Sequence, residues 1–114
     1  MVITVGEDPT ALTYTVTKYG SDILVHIDGG CSHLGAVTVA GAGILHTTVF
    51  PGHKEQFLTE PLAKAISETC NRNCCVTAGV HLDNITPPQI DLILTQHKTL
   101  LPQLTDAIER DEIS

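Results

Sequence analysis

Polar and apolar residues alternate with a period of two along the first half of the chain. Leu12, Tyr14 and Val16 interleave with Thr13, Thr15 and Thr17, and after a Gly20-Ser21-Asp22 turn Ile23, Val25 and Ile27 interleave with Leu24, His26 and Asp28. Side chains at i and i+2 share one face of a strand, so this pattern predicts a hairpin. Gly29-Gly30-Cys31-Ser32 breaks it; a third β-branched run covers His33 to Ala40, Gly41-Ala42-Gly43 turns the chain, and a fourth run covers Ile44 to Phe50. Four short strands with tight connections predict an antiparallel meander.

From Pro51 the period becomes helical. Phe57, Leu58, Leu62, Ala65, Ile66 and Thr69 fall on one stripe, opened by Gly52-His53-Lys54-Glu55 and ended near Asn71. Pro61 either kinks this helix or begins its main part behind a cap at Thr59 or Glu60. Cys74 to Leu82 is a nearly continuous apolar run, expected to be a central strand covered on both faces or a contact with a partner subunit. Thr86-Pro87-Pro88-Gln89 carries a cap, a first-position proline and a capping-box glutamine. The helix it opens bears the stripe Ile90, Ile93, Leu94, His97, Leu101, Leu104 and Ile108, with a kink expected at Pro102 and fraying over Asp111 to Ser114. The order ββββαβα predicts an α+β fold, a mostly antiparallel sheet with two helices packed on one face. A small sheet left uncovered on its other side predicts a homodimer.

Length and composition narrow the classes of function. At 114 residues and 12.2 kDa, one domain spanning residues 1–114 is expected. Six cations, scattered as Lys18, Lys54, Lys64, Arg72, Lys98 and Arg110, against thirteen acids give a formal charge of −7, which argues against nucleic acid or an anionic membrane as partner. No segment approaches the ~20 apolar residues of a bilayer span. Met1 to Pro9 carries Glu7 and Asp8 and no signal-peptide pattern, and the four cysteines form no CxxC pair, so a cytoplasmic protein with free thiols is expected.

Six histidines are a heavy loading for such a chain, and imidazole near neutral pH serves as ligand, proton carrier or switchable charge. Polar and glycyl residues gather at three element boundaries: Asp28 to Gly35, Gly52 to Glu55, and Gly79 to Asn84. Each couples glycine, histidine and carboxylate, a composition that lets a ligand approach the backbone. A helix beginning at Gly52-His53-Lys54-Glu55 would attract a phosphate, although the same residues also fit a solvated first turn. His33, His53 and His81, with Asp28, Glu55 or Asp83, could converge on a divalent metal, but no HExxH or HxH spacing marks such a site. A Cys31/His33/Asp28 nucleophile lacks a specified orienting group, and neither GxGxxG after a strand nor a P-loop is present. His97 lies on an apolar stripe and is expected to be packed, and His26 and His46 are expected mid-strand.

Taken in order, DGGCSHLGAV, PGHKE and NRNCCVTAGVHLDN, followed by a helix opened by Thr-Pro, resemble the LpdD-like prenylated-flavin chaperones, the small accessory proteins of gallate-type phenolic-acid decarboxylase systems. The resemblance covers about Asp22 to Ile108 and is most specific at Gly52 to Glu55 and at Thr77 to Asn84. It implies a non-catalytic accessory protein that binds prenylated FMN, or FMN, between a flavin prenyltransferase of the UbiX type and a UbiD-type decarboxylase. The contact set it implies is Gly29, Gly30, His33, Gly35, Gly52, His53, Lys54, Glu55, Arg72, Thr77, Gly79, His81 and Asn84. The phosphate is expected near Gly29, Gly30, His53 and Lys54, and the ring system against the Thr77 to His81 strand, with a metal on His33, His53 and His81 as one source of positive potential. Two other classes stay open: a small metal-dependent enzyme using the same histidines with Glu55 or Asp83 as base, and a purely structural assembly component of the decarboxylase that docks through the uncovered sheet face.

Overall fold

A computed structural model describes residues 1–113. The elements are β1 (Val2–Val5), β2 (Leu12–Tyr19), β3 (Asp22–Gly30), β4 (Ala36–Gly41), β5 (Ile44–Val49), α1 (Gln56–Cys70), β6 (Cys74–His81) and α2 (Pro87–Glu109). They form an α+β fold with a six-stranded sheet of order β1-β2-β3-β6-β4-β5. The two expected hairpins are present, as β2 with β3 and β4 with β5. They are not joined in a meander, because β6 lies between β3 and β4, parallel to β3 and antiparallel to β4. The sheet is therefore mixed. α1 carries the chain back along the sheet after β5, so β6 re-enters in the direction of β3, and its apolar residues take a central position. The short β1 pairs with β2 at one edge and was not signalled by the alternation.

Burial follows the two periods. Leu12, Tyr14 and Val16 of β2, Ile23, Val25 and Ile27 of β3, Ala36 and Ala40 of β4, and Cys74, Val76 and Ala78 of β6 all turn toward the helices and are buried. α1 contributes Leu58, Leu62, Ala63 and Ile66, and α2 contributes Ile93, Leu100, Leu104 and Ile108. Thr38, also buried, is held by Thr59 of α1 and Thr47 of β5, each at 2.8 Å. The opposite face carries Leu24, His26, Val37, Val39, Cys75 and Thr77, half-buried or exposed, so β6 is covered on one side only. His26 Nδ1 and Thr77 Oγ1 lie 2.6 Å apart there.

α1 is one helix with Pro61 inside it, and does not restart behind Thr59 or Glu60; it begins at Gln56, with Glu55 as its cap residue. α2 has the complete capping box, in which Gln89 N–H donates to Thr86 Oγ1 and Thr86 N–H donates to Gln89 Oε1, and it runs through Pro102 without a break. His97, on the inward face of α2, is buried with Nδ1 2.6 Å from the Tyr14 hydroxyl, whereas its Nε2 makes no well-formed hydrogen bond. The expected fraying does not hold for residues 111–113: Ile113 is buried, its carbonyl accepts from the N-terminal ammonium at 3.3 Å, and Lys18 pairs with Asp111. Ser114 lies outside the described residues. The four cysteines are free thiols, and no helix among the described residues is long and apolar enough to cross a membrane.

Candidate functional site

The carboxyl ends of the parallel pair β3 and β6 meet the amino end of α1 at one end of the sheet, a place where α/β sheets commonly open a crevice. The connection from β3 to β4 crosses this end. Gly79 makes the crossing possible, because a Cβ there would occupy the backbone of His33. Gly35 has the same role toward α1, since a Cβ at that position would overlap the Glu55 carboxylate. Two backbone hydrogen bonds pin the loop, from Cys31 N–H to the His81 carbonyl at 3.1 Å and from Gly35 N–H to the Ala78 carbonyl at 2.8 Å. The boundary glycines were expected to admit a ligand; at Gly30, Gly35 and Gly79 it is the chain itself that comes close, and Gly29 is packed on Leu12 and Val80. Gly52 alone of this group faces open space, with φ +83.

The result is a cluster of imidazole and carboxylate. Glu55, 8% exposed, turns its side chain away from capping α1 and into the cluster. Its Oε1 is 3.2 Å from His33 Nε2 and its Oε2 is 3.5 Å from His53 Nδ1. The His33 and His53 rings lie 4.9 Å apart between centroids. His81 stands edge-on to His33 at 6.0 Å and pairs with Asp83 at 3.1 Å. The compact ligand-like group is therefore His33, His53 and Glu55, whereas His81, expected as the third ligand, sits beside it.

A cleft of about 640 Å³ opens next to the cluster. One side is Gly52, His53, Lys54, Glu55 and His81; the other is apolar, with Phe57 from α1, Leu82 and Ile85 from the connection after β6, and Ile90 and Leu94 from α2. Phe57 is 58% exposed, and Ile85, Ile90 and Leu94 are also exposed, so the wall is presented to solvent. Lys54 is the cation on the lining. Other expected contacts lie elsewhere: Arg72 is at the far end of β6 with its guanidinium on the Ser21 carbonyl at 3.4 Å, Thr77 is on the open sheet face, and Asn84 is exposed in the turn after β6. The helical period places Phe57, Ile90 and Leu94 on stripes that pack in the core, and the structure puts them on the cleft instead. The signal for their role is the width of the apolar arcs, since Phe57-Leu58 and Leu92-Ile93-Leu94 are broader than one buried face requires.

The cleft thus joins an apolar wall to a polar end that carries Lys54, Glu55 and two histidines, a surface complementary to an amphiphilic small molecule. The sequence matches the prenylated flavin chaperone LpdD-like domain over residues 6–109, and the chain belongs to that family. It is 38% identical over 78 aligned residues to Protein LpdD of Lactiplantibacillus plantarum, a match covering 62% of this chain and 57% of the relative's length.

Proposed function

We propose that this chain binds prenylated FMN in the cleft beside His53 and Lys54 and carries it, without catalysing a reaction, from a UbiX-type flavin prenyltransferase to a UbiD-type decarboxylase. The observation that carries the reading is the polarity of the cleft. An isoalloxazine with added prenyl carbons needs apolar surface, and Phe57, Leu82, Ile85, Ile90 and Leu94 offer it in an exposed wall. The phosphate needs positive potential and hydrogen-bond donors, which a protein of charge −7 must concentrate locally; Lys54 and the imidazoles of His53 and His81 lie at that end. Family membership supports a prenylated flavin as the cargo. The carrier is proposed to act as a homodimer through the open sheet face, where Val39 is 37% exposed beside Leu24, Val37 and Cys75.

Native mass spectrometry tests the assembly and the cargo together, on protein co-expressed with a flavin prenyltransferase and purified without oxygen. A dimer carrying prenylated FMN is expected. Lys54→Ala should weaken retention about tenfold or more, the loss expected for one charge-assisted hydrogen bond, and Leu94→Asp should weaken it through the apolar wall. A ligand-free spectrum, or retention unchanged in both variants, would remove this reading of the cleft.

A further inference from the structure

We infer that His33, His53 and Glu55 hold a divalent first-row transition-metal ion whose open coordination positions face the cleft and accept a phosphate oxygen. The identity of that oxygen rests on the cofactor reading above; the metal rests on the cluster itself. The three donor atoms, one per residue, lie within 4.8 Å of one another. Metal bonds of about 2.0–2.2 Å at tetrahedral or octahedral angles hold donor atoms about 3.0–3.5 Å apart. Each imidazole already stands at that spacing from one oxygen of the Glu55 carboxylate, His33 Nε2 at 3.2 Å from Oε1 and His53 Nδ1 at 3.5 Å from Oε2.

The hydrogen bonding around His33 makes the stronger argument. Its Nδ1 lies 3.0 Å from the Cys31 carbonyl, which can only accept, so Nδ1 carries the proton and donates it. In neutral His33 the lone pair is therefore on Nε2, and Nε2 faces Glu55 Oε1 at 3.2 Å. An ionised carboxylate also only accepts. Two lone pairs held face to face need positive charge between them, which either a proton on Nε2 or a metal ion supplies, and the cobalt titration below separates the two. Glu55 Oε2 adds to this need, because it is buried and makes no hydrogen bond, with His53 Nδ1 standing 3.5 Å away, and a buried carboxylate is costly unless paired. A donated Nδ1–H to a backbone carbonyl is also the usual outer-shell support for a metal-binding histidine.

The surroundings fix where the ion is open. His33 is backed by its own loop, whereas His53 and Glu55 also line the cleft. Two imidazoles and one carboxylate leave positions for outside ligands, and their mixed nitrogen and oxygen character suits Zn, Mn, Fe, Co or Ni in the divalent state. His81 is held by Asp83 on the cleft side and stays outside the donor set.

The test uses the folded full chain and cobalt(II) as probe. Titration into chelator-treated protein should give one ion per chain with visible ligand-field absorption, and zinc(II) should displace it. Glu55→Gln and His53→Gln should each weaken uptake by about a hundredfold or more, beyond the 10–100-fold typical of outer-shell changes. His53 is half-buried in a turn, so its replacement keeps the fold if Glu55→Gln does not, with circular dichroism as the check; His46→Ala, on an exposed strand, should bind cobalt normally. No uptake by wild type, or uptake as tight as wild type in both glutamine variants, overturns the site. A separate FMN titration reads the phosphate contact: tighter binding by metal-loaded protein supports it, and equal affinity with and without metal overturns it. FMN bound by neither form would remove the cofactor reading and leave the metal count standing.

Discussion

Acidification from pH 7 to pH 5 should cost this protein about 2 kcal/mol of stability through one buried histidine. Tyr14 and His97 meet at 2.6 Å in the core, under α2. Burial pushes the Tyr14 hydroxyl well above its usual value, so it stays protonated and donates to His97 Nδ1. The imidazole proton then sits on Nε2, which makes no well-formed hydrogen bond. Charging the ring would place a cation in the buried core, and burial accordingly lowers the His97 pKa from 6.5 to about 4, with the smaller contribution of the Leu58 backbone acting in the opposite direction. Between those values the unfolded chain binds the proton and the folded one does not, so stability falls as pH falls. Nothing is lost well above 6.5, and the loss is complete below about 4. At pH 5 the unfolded group is about 1.5 units below its pKa, and at about 1.4 kcal/mol per unit the cost is about 2 kcal/mol. Urea unfolding at both pH values should show it in wild type. The double variant Tyr14→Phe/His97→Leu removes both polar partners together and leaves no orphan. Every other histidine and carboxylate is common to both proteins, so the double variant should lose about 2 kcal/mol less on acidification. Equal losses would refute a neutral, buried His97.

Two further outcomes follow from the site's scaffold. Gly79→Ala puts a methyl group where the His33 backbone crosses β6; unfolding should become easier by about 1–3 kcal/mol, as for other overpacked sites, and cobalt uptake should fall as the loop is displaced, an effect absent if the crossing is slack. Thr86→Ala removes the capping box of α2 and should cost about 1 kcal/mol in a urea titration, with a second loss in FMN affinity because the first turns of α2 carry Ile90 and Leu94 into the cleft; a stability loss alone would separate the cap from the cleft wall.

What the sequence by itself determined were the local periods and their punctuation. The alternation of Leu12, Tyr14 and Val16 with threonines, and of Ile23, Val25 and Ile27 with polar partners, names the buried face of each strand, because side chains in a strand can only alternate. Thr86-Pro87-Pro88-Gln89 names the start of α2 because its cap is satisfied by residues three apart. The glycine, histidine and carboxylate boundaries singled out His33, His53 and His81, with Asp28, Glu55 or Asp83, as candidates. The tertiary structure decided which strands are neighbours, and that choice is not local. β6 separates β3 from β4 because α1 returns the chain across the sheet, and no pattern within β3 or β4 encodes the intruder. The same crossing selects Glu55 over His81 beside His33 and His53: the loop from β3 to β4 passes over Gly79, Gly35 admits the carboxylate, and His81 is left to Asp83. Likewise Phe57, Ile90 and Leu94 belong to apolar arcs in the sequence, but whether an arc meets a core or an open cleft depends on how far α1 and α2 stand apart at that end of the sheet. That separation is fixed by packing among residues distant in the chain, and period alone does not carry it.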